Sequence, residues 1–413
     1  MLEDFISRAA SERLRSGLFG AHIEAHCSRL RELGYRATSI KHKLWTVSVL
    51  ARWMTKKRLA LADLDERCVE SFRDARKKRG HTCRGLRRTA LMLLEQIRAD
   101  GAIRTPEVVR DESPFSTVLA PYTVFLSQER AVTAGTIAEY QRIARAFLSE
   151  SLHEPAERLD ALNAGGVRDF LLARVQRLAP KRLQLVGSGL RSFLRFLFVR
   201  GETKTDLALA VVTVRQRRLS GVPRHMSPED VETLLRSCDR SSATGRRNHA
   251  LLLLLARLGL RASEVVALEL ADLRWREGEI VIRGKGLVRD RLPLLPDVGR
   301  ALALYLKKDR PVCASRRVFL RARAPHRGLG HASTVSTIVM RALAQAGLAP
   351  GHRGAHLLRH SLATAMVRRG ASFAEIGQVL RHRSPNTTEI YAKLDFGALR
   401  DIALPWPMTR GAQ

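Results

Sequence analysis

An apolar run in the middle of the chain limits how its C-terminal half can fold. Residues 250–258 are leucine or alanine at every position but one, and a run of this length predicts a buried helix. Gly259 predicts the end of that helix. Arg261 and Ser263 then precede another apolar stretch, so a second helix is predicted to begin there. Arg261 is thus expected beside a helix N-terminus, where unpaired N–H groups and the helix dipole favour anions.

Two β-like runs follow this pair of helices. Residues 279–283 and 288–294 flank the sequence Gly284-Lys285-Gly286, and short runs on either side of a glycine-rich turn predict a hairpin. Lys285 would lie at its tip. The three residues lack the full phosphate-loop pattern, so by themselves they predict only a turn.

The C-terminal part of the chain gathers basic side chains before a tyrosine. His356 and Arg359 are three residues apart and would share one face of a helix, and His382 and Tyr391 follow them. Guanidinium groups neutralise the charge of a phosphodiester through hydrogen bonds, and a tyrosine hydroxyl can form a covalent phosphoester. This pattern predicts phosphate chemistry with Tyr391 as the nucleophile.

Two other interpretations of the same segment are a metal site and a DNA-binding motif. His356 and His360 have the spacing of a zinc-binding helix, but Leu357 stands where H-E-x-x-H has its glutamate. We therefore predict no metal site and interpret His360 as structural. Residues 357–369 and 373–381 also fit a helix-turn-helix, as found in many regulators. That interpretation leaves Arg261, Lys285 and Tyr391 without a role.

The ordered set of candidate residues resembles the active site of the tyrosine recombinase (phage integrase) family. The resemblance rests on Arg261, Lys285, His356, Arg359, His382 and Tyr391, with Gly259-Leu-Arg261-Ala-Ser263-Glu264 around the first arginine and Ala363-Thr364 after the second. It covers about residues 225–400 well and the earlier residues only in outline. Leu357 departs from the family, which commonly has an acidic residue there.

The resemblance implies a role for each of these residues. Tyr391 would attack the scissile phosphate and give a 3′-phosphotyrosyl link with a free 5′-hydroxyl, while Arg261 and Arg359 hold the non-bridging oxygens. Lys285 would protonate the departing oxygen, and His356 would take the tyrosine proton. His382 would add a hydrogen bond to the phosphate, and Glu264 would support Arg261. Neither a metal nor another cofactor is implied.

Charge and composition also predict a nucleic-acid partner. A net charge of +32 and a pI of about 11.3 predict a polyanion such as double-stranded DNA. The five cysteines are scattered without a C-x-x-C pair, which is typical of a reducing compartment. The sequence has neither an apolar run long enough to span a membrane nor the features of a signal peptide, so we expect a cytoplasmic protein without a membrane partner.

Two linkers, residues 104–114 and 214–225, divide the chain into three predicted domains, 1–105, 117–208 and 224–403. The first two resemble each other at an offset of 97 to 100 residues; for example, Val69 and Phe72 match Val167 and Phe170. The predicted fold is mainly α: two small helical DNA-binding domains, then a mixed α+β catalytic domain with a small antiparallel sheet. The family resemblance makes the second domain a core-binding domain. The first would contact DNA or another protomer, or serve only as a packing extension.

The resemblance also implies an assembly and a biological role. Protomers of the family act as a tetramer on two duplexes, either of one kind or of partner recombinases, and the segment Leu394–Trp406 would dock on a neighbour. The three-domain layout favours a mobile-element integrase or transposase. The alternatives are a chromosome-dimer resolvase, an enzyme like type IB topoisomerases and a DNA-binding regulator without enzymatic activity.

Overall fold

The chain forms two compact units, and each is described by itself. One unit combines Met1–Thr105 with Gly221–Gln413, and the other is Pro106–Ser220. The computed structural model describes residues 2–80, 85–104, 115–130, 132–152, 159–213, 225–284, 289–351, 354–382, 384 and 387–394. Lys285, almost all of both predicted linkers and the segment after Leu394 lie outside the described residues. Within these ranges, no helix is long and apolar enough to cross a membrane.

The N-terminal part of the first unit is a bundle of helices. They are α1 Arg8–Arg15, α2 Gly20–Glu32, α3 Ala37–Lys56, α4 Glu66–Lys78 and α5 Leu86–Ala99. Helix α3 packs against α5, and α4 packs against α5 as well. The apolar faces of these helices meet in one core that includes Ile23, Leu50, Phe72 and Leu93.

The second unit is also helical. It contains α6 Ser116–Val124, α7 Ala134–Ser151, α8 Ala164–Val175 and α9 Pro180–Val199. Helix α7 packs against α8 and α9 around a core rich in phenylalanine. Phe147 of α7 meets Phe170 of α8 edge to face, with ring centres 5.3 Å apart.

The two helical segments share local details at equivalent positions. Asp65 caps α4 by accepting the N–H of Cys68, and Asn163 caps α8 by accepting the N–H of Gly166. Gly101, two residues after α5, has φ +74°, and Gly201, two residues after α9, has φ +73°. These are details that two copies of one domain would share, and the duplication stays a prediction.

The remainder of the first unit holds the other predicted elements. The helices are α10 Pro228–Arg236, α11 Ala243–Arg257, α12 Ala262–Ala267, α13 Pro296–Lys308, α14 Ala332–Gln345, α15 Ala355–Arg368 and α16 Phe373–Leu380. The strands are β1 Leu273–Arg274, β2 Glu279–Arg283 and β3 Arg289–Pro293, and a 3₁₀ turn runs from Glu389 to Leu394. The expected mainly helical fold with a small antiparallel sheet is confirmed.

Helix α11 is the centre of this domain. Its leucine run is buried, and the helix packs against α13 on one side and α15 on another. The sheet has the order β1-β2-β3, and β2 pairs antiparallel with β3, with Arg283 opposite Arg289. The predicted end of α11 before Gly259 and the antiparallel pair of strands are confirmed, while the predicted turn at Lys285 lies outside the described residues.

A small separate core fixes the end of the chain. Ala363 and Val367 of α15, Ile376 and Leu380 of α16, and Tyr391 of the last turn pack together. This cluster buries the tyrosine ring against the helix that carries Arg359.

Candidate active site

The first predicted arginine lies at the junction of α11 and α12. Arg261 is the residue before α12, and its backbone N–H donates to Glu264 at 2.8 Å. Its guanidinium donates to the other oxygen of the same carboxylate at 2.7 Å. Glu264 thus orients both the backbone and the side chain of Arg261, as the sequence analysis predicted.

Glu264 also binds a second arginine that the sequence analysis did not assign to the site. The guanidinium of Arg381 donates to Glu264 at 2.8 Å, and both side chains are buried. Arg381 follows α16 with φ +54°, a backbone conformation that is strained for any residue other than glycine. This strained turn brings the Arg381 side chain to the carboxylate and leads directly into His382.

The buried carboxylate should make stability depend on pH. Burial raises the pKa of Glu264, but Arg381 and Arg261 outweigh burial and hold it below its usual value. A carboxyl group with a depressed pKa contributes stability above its unfolded pKa of ~4.3 and loses it as pH falls through the folded pKa. We expect Glu264→Gln to lower the free energy of unfolding at pH 7 by about 3–5 kcal/mol, because two guanidinium groups lose their counter-charge.

Urea unfolding from pH 7 down to pH 3 measures this effect. The difference in free energy of unfolding between wild type and Glu264→Gln should become smaller below about pH 4. Exposed Glu277 provides the control, since Glu277→Gln should change stability by less than about 0.5 kcal/mol. A difference in free energy of unfolding that stays constant from pH 7 to pH 3 would contradict the role of the ionised carboxylate.

Arg359 projects from α15 into the same region. Its side chain is buried, and its guanidinium donates to the backbone carbonyls of Gly259 and Leu380. These carbonyls lie in the α11–α12 break and at the end of α16. Arg359 therefore joins α15 to the two segments that carry Arg261 and His382.

Gly259 allows this close packing, which leads to a prediction. It has φ +58°, and a Cβ added there would lie 2.7 Å from Cδ2 of Leu380 and 3.1 Å from Cδ2 of Leu362. We expect Gly259→Ala to lower the free energy of unfolding by about 3 kcal/mol, from backbone strain and steric crowding together. Gly370 has φ +82° with open space around it, so Gly370→Ala should lose only about 1–2 kcal/mol. If denaturant titrations showed the same loss of unfolding free energy in both variants, crowding at Gly259 would be excluded.

The described residues of the site carry more positive than negative charge. Arg261 and Arg381 bind the carboxylate of Glu264, Arg359 lies close to both arginines, and a carboxylate oxygen of Asp290 is 3.9 Å from Nε of Arg381. Burial and the charges of Arg261 and Arg381 lower the pKa of Arg359 to about 10. A bound anion would relieve this repulsion, so the arrangement favours binding of a phosphate.

Tyr391 is buried near Arg359. Its side chain is 1% exposed, and its hydroxyl lies 2.7 Å from Nδ1 of His360. Burial raises the pKa of the hydroxyl to about 12, although the charge of Arg359 acts in the opposite direction. The phenol is therefore neutral at physiological pH and needs a proton acceptor before it can attack.

His382 connects the arginines to the turn that holds the tyrosine. Its Nδ1 lies 2.7 Å from the hydroxyl of Thr388, and the backbone N–H of Tyr391 donates to the carbonyl of Thr388. Burial and the nearby charges of Arg359 and Arg261 lower the pKa of His382 to about 4. Neutral His382 can thus offer one N–H to an anion without adding charge.

The structure brings together most of the residues that the sequence analysis selected. Arg261, Arg359, His382 and Tyr391 lie around the ends of α11 and α16, whereas Lys285 lies outside the described residues. His356 is exposed on α15, and its ring centre is 6.2 Å from that of His360. The histidine that contacts the tyrosine hydroxyl is His360, which we had interpreted as structural.

Nothing in the described part of the chain indicates a metal centre. Within it, no three histidine, cysteine, aspartate or glutamate side chains are grouped as metal ligands would be. The described cysteines, Cys27, Cys68, Cys238 and Cys313, are free thiols.

Comparison with known proteins identifies the family of this arrangement. The sequence model of the phage integrase family matches residues 224–397, the range that holds every predicted site residue. The integrase/recombinase y4rA of Sinorhizobium fredii is 40% identical over 96% of this chain and 97% of its own length. The chain belongs to the phage integrase family. As a tyrosine recombinase, it is an enzyme that breaks and rejoins DNA strands.

Two further comparisons each cover about two thirds of this chain. The tyrosine recombinase XerD of Listeria monocytogenes is 29% identical over 67% of this chain and 94% of its own length. The crystal structure of a lambda integrase dimer bound to a core site matches with a TM-score of 0.52 and 17% identity. It covers 67% of this chain and 94% of the lambda chain. At this identity the structural match supports the fold alone.

Proposed function

We propose that this recombinase integrates or transposes a mobile DNA element. The support is the layout of the whole chain. The integrase/recombinase y4rA aligns with 96% of it, and therefore with most of the N-terminal domain, whereas XerD aligns with only 67%. A layout with an additional helical domain, shared with y4rA, favours the mobile-element role over a chromosome-dimer resolvase.

In the proposed reaction, Tyr391 attacks a DNA phosphodiester and forms a 3′-phosphotyrosyl link with a free 5′-hydroxyl. Arg261 and Arg359 donate hydrogen bonds to the non-bridging oxygens, and His382 adds an N–H. Because one phosphoester replaces another, the intermediate keeps the bond energy, and a second 5′-hydroxyl can complete strand exchange. His356, exposed on the same helix as Arg359, belongs to the DNA-facing part of the proposed site.

One observation carries this chemical proposal: the buried Tyr391 lies near Arg359, and Arg359 is grouped with Arg261 and Arg381. Unrelieved positive charge in a buried site is costly, and its natural counter-charge is a phosphate. The fixed guanidinium groups are already oriented by Glu264 and by backbone carbonyls, so little reorganisation is needed when charge develops on the phosphate.

Lys285 is proposed as the acid that protonates the departing 5′-oxygen. We expect Lys285→Ala to slow cleavage of ordinary DNA by about 10²–10⁴-fold. A substrate with sulfur in place of the bridging 5′-oxygen should restore the rate, because a thiol, with a pKa of ~8.5, leaves as a thiolate without a proton. The rates are measured in single turnovers with nicked DNA. A defect that is equally large with the sulfur substrate would contradict this role.

The proposed function is tested with DNA from both flanks of the gene for this chain. Purified protein is incubated with nicked fragments, and adducts that resist SDS are mapped to the nucleotide. A covalent adduct at a defined 3′-phosphate supports the proposal. Tight binding without an adduct on any fragment would favour a DNA-binding regulator instead.

The proposed partners are double-stranded DNA and further recombinase protomers, four in all on two duplexes. The proposal places the enzyme in the cytoplasm, where such DNA is accessible. Joining of two fragments that both carry the cleavage site would support recombination. Relaxation of supercoiled DNA that lacks the site, with no joined product, would instead indicate activity like that of a type IB topoisomerase.

A further inference from the structure

The contact between Tyr391 and His360 assigns a chemical role to a histidine that the sequence pattern left aside. We propose that His360 accepts the phenolic proton of Tyr391 through Nδ1 during strand cleavage. This inference rests on the proposed function, in which Tyr391 is the nucleophile.

The geometry of the contact fits proton acceptance. The hydroxyl and Nδ1 are 2.7 Å apart, a typical length for a hydrogen bond from a phenol. A neutral phenol donates this bond when the imidazole carries its own proton on Nε2. The lone pairs of the phenol oxygen then point away from the histidine and are available for attack on phosphorus.

His360 also lies where it can follow the reaction. It is the residue after Arg359 in α15, so the proposed proton acceptor and one proposed phosphate ligand are fixed by the same rigid helix. Buried Tyr391 must become accessible to DNA, and a tyrosine that approaches a phosphate held by Arg359 remains close to α15. His356 lies one turn earlier and is exposed.

The proton and electron balance of the step is complete. The hydroxyl proton of Tyr391 passes to Nδ1 of His360, and the phenol oxygen forms a bond to phosphorus. The bond from phosphorus to the 5′-oxygen breaks, and that oxygen takes a proton from Lys285. On rejoining, the imidazolium of His360 returns its proton to the phenol oxygen. The attacking 5′-hydroxyl gives its proton back to Lys285.

The surroundings of the pair explain why an acceptor is needed. The titratable and charged groups nearby are His356 and Arg359 on α15, Arg261 and Glu264 at α12, Asp290 on β3, and Arg381 and His382 after α16. Burial raises the pKa of Tyr391 to about 12, so an ionised phenol is rare at neutral pH.

The test compares single-turnover adduct formation by four variants on the nicked DNA substrate. They are His360→Asn, His360→Gln, His360→Ala and, as the matched change at the rival position, His356→Asn. An asparagine amide can occupy the position of Nδ1 and hold the hydroxyl, but it cannot take a proton. Affinity for DNA and thermal unfolding are measured alongside, so that loss of folding is distinguished from loss of chemistry.

We expect all three His360 variants to form the adduct about 10²–10⁴-fold more slowly at pH 7, with unchanged DNA affinity. Their rates should rise about tenfold per pH unit towards the pKa of the tyrosine, because the phenolate must form beforehand. The defect should persist on DNA with a 5′-bridging sulfur, which relieves the need for an acid but not for a base.

Two results would overturn the inference. One is a wild-type rate in His360→Asn, which would reduce the residue to a positioning role. The other is a larger loss in His356→Asn than in the His360 variants. An adduct that survives in Tyr391→Phe would instead overturn the proposed function itself, so the two failures are distinguishable.

Discussion

Tyr391→Phe should abolish the covalent protein–DNA adduct, with a loss of more than about 10⁴-fold in the rate of cleavage. The substitution removes one oxygen atom and leaves the ring in its buried cluster with α15 and α16. Among the described residues, the hydroxyl of Tyr391 has one hydrogen bond, to His360, so stability should fall by about 1 kcal/mol and DNA binding should persist. Adduct yield on nicked DNA, measured beside a filter-binding affinity, separates these effects.

A second buried tyrosine provides the matched control. The hydroxyl of Tyr305 accepts a hydrogen bond from the backbone N–H of Leu320, within the core around α11. Tyr305→Phe makes the same chemical change and should lower stability by a similar amount without affecting the adduct. If Tyr391→Phe formed the adduct in the same yield as wild type, Tyr391 would be excluded as the nucleophile.

Arg359→Lys should lower the rate of cleavage by about 10³-fold or more and should also destabilise the fold. The guanidinium donates to the carbonyls of Gly259 and Leu380, and a lysine ammonium cannot reproduce that fixed fork. A phosphate would lose a preorganised ligand, and one buried carbonyl would lose its donor, at a cost of about 1–3 kcal/mol. Single-turnover cleavage and urea unfolding measure the two effects.

Arg247 distinguishes catalysis from general loss of stability. It is also buried, and its guanidinium donates to the carbonyl of Leu320, outside the candidate site. Arg247→Lys should therefore destabilise the protein to a similar extent, yet the folded fraction should cleave DNA at the wild-type rate. Equal catalytic losses in the two variants would assign the effect of Arg359 to folding alone.

Local features of the fold could be predicted from the sequence because they depend on near neighbours. The leucine run and Gly259 predicted the end of α11, and the glycine-rich turn predicted the hairpin of β2 and β3. Glu264 lies three residues after Arg261, a spacing that lets its carboxylate reach back to the residue before the helix. In each case the residues that decide the structure lie within a few positions of one another.

The partners of the candidate site residues were decided by tertiary packing. Arg381 reaches Glu264 across 117 positions, and a strained turn after α16 is what directs it there. The sequence gives no sign that Arg381 and Glu264 form a pair, since an arginine before a histidine is ordinary in a basic protein. The adjacency of Arg381 to His382 was the one available signal, and it gave no partner.

The histidine that contacts Tyr391 was also decided by tertiary packing and not by the sequence pattern. Along α15, helical periodicity puts His356 on the face of Arg359, whereas His360 follows Arg359 directly and lies about 100° around the helix, so the sequence pattern favoured His356. The sequence by itself determined the residue types, their order and the helix that carries them. Only the packing of the final turn against α15 and α16 decided that the hydroxyl of Tyr391 meets His360, because that contact joins segments 31 residues apart whose relative position depends on the buried core between them.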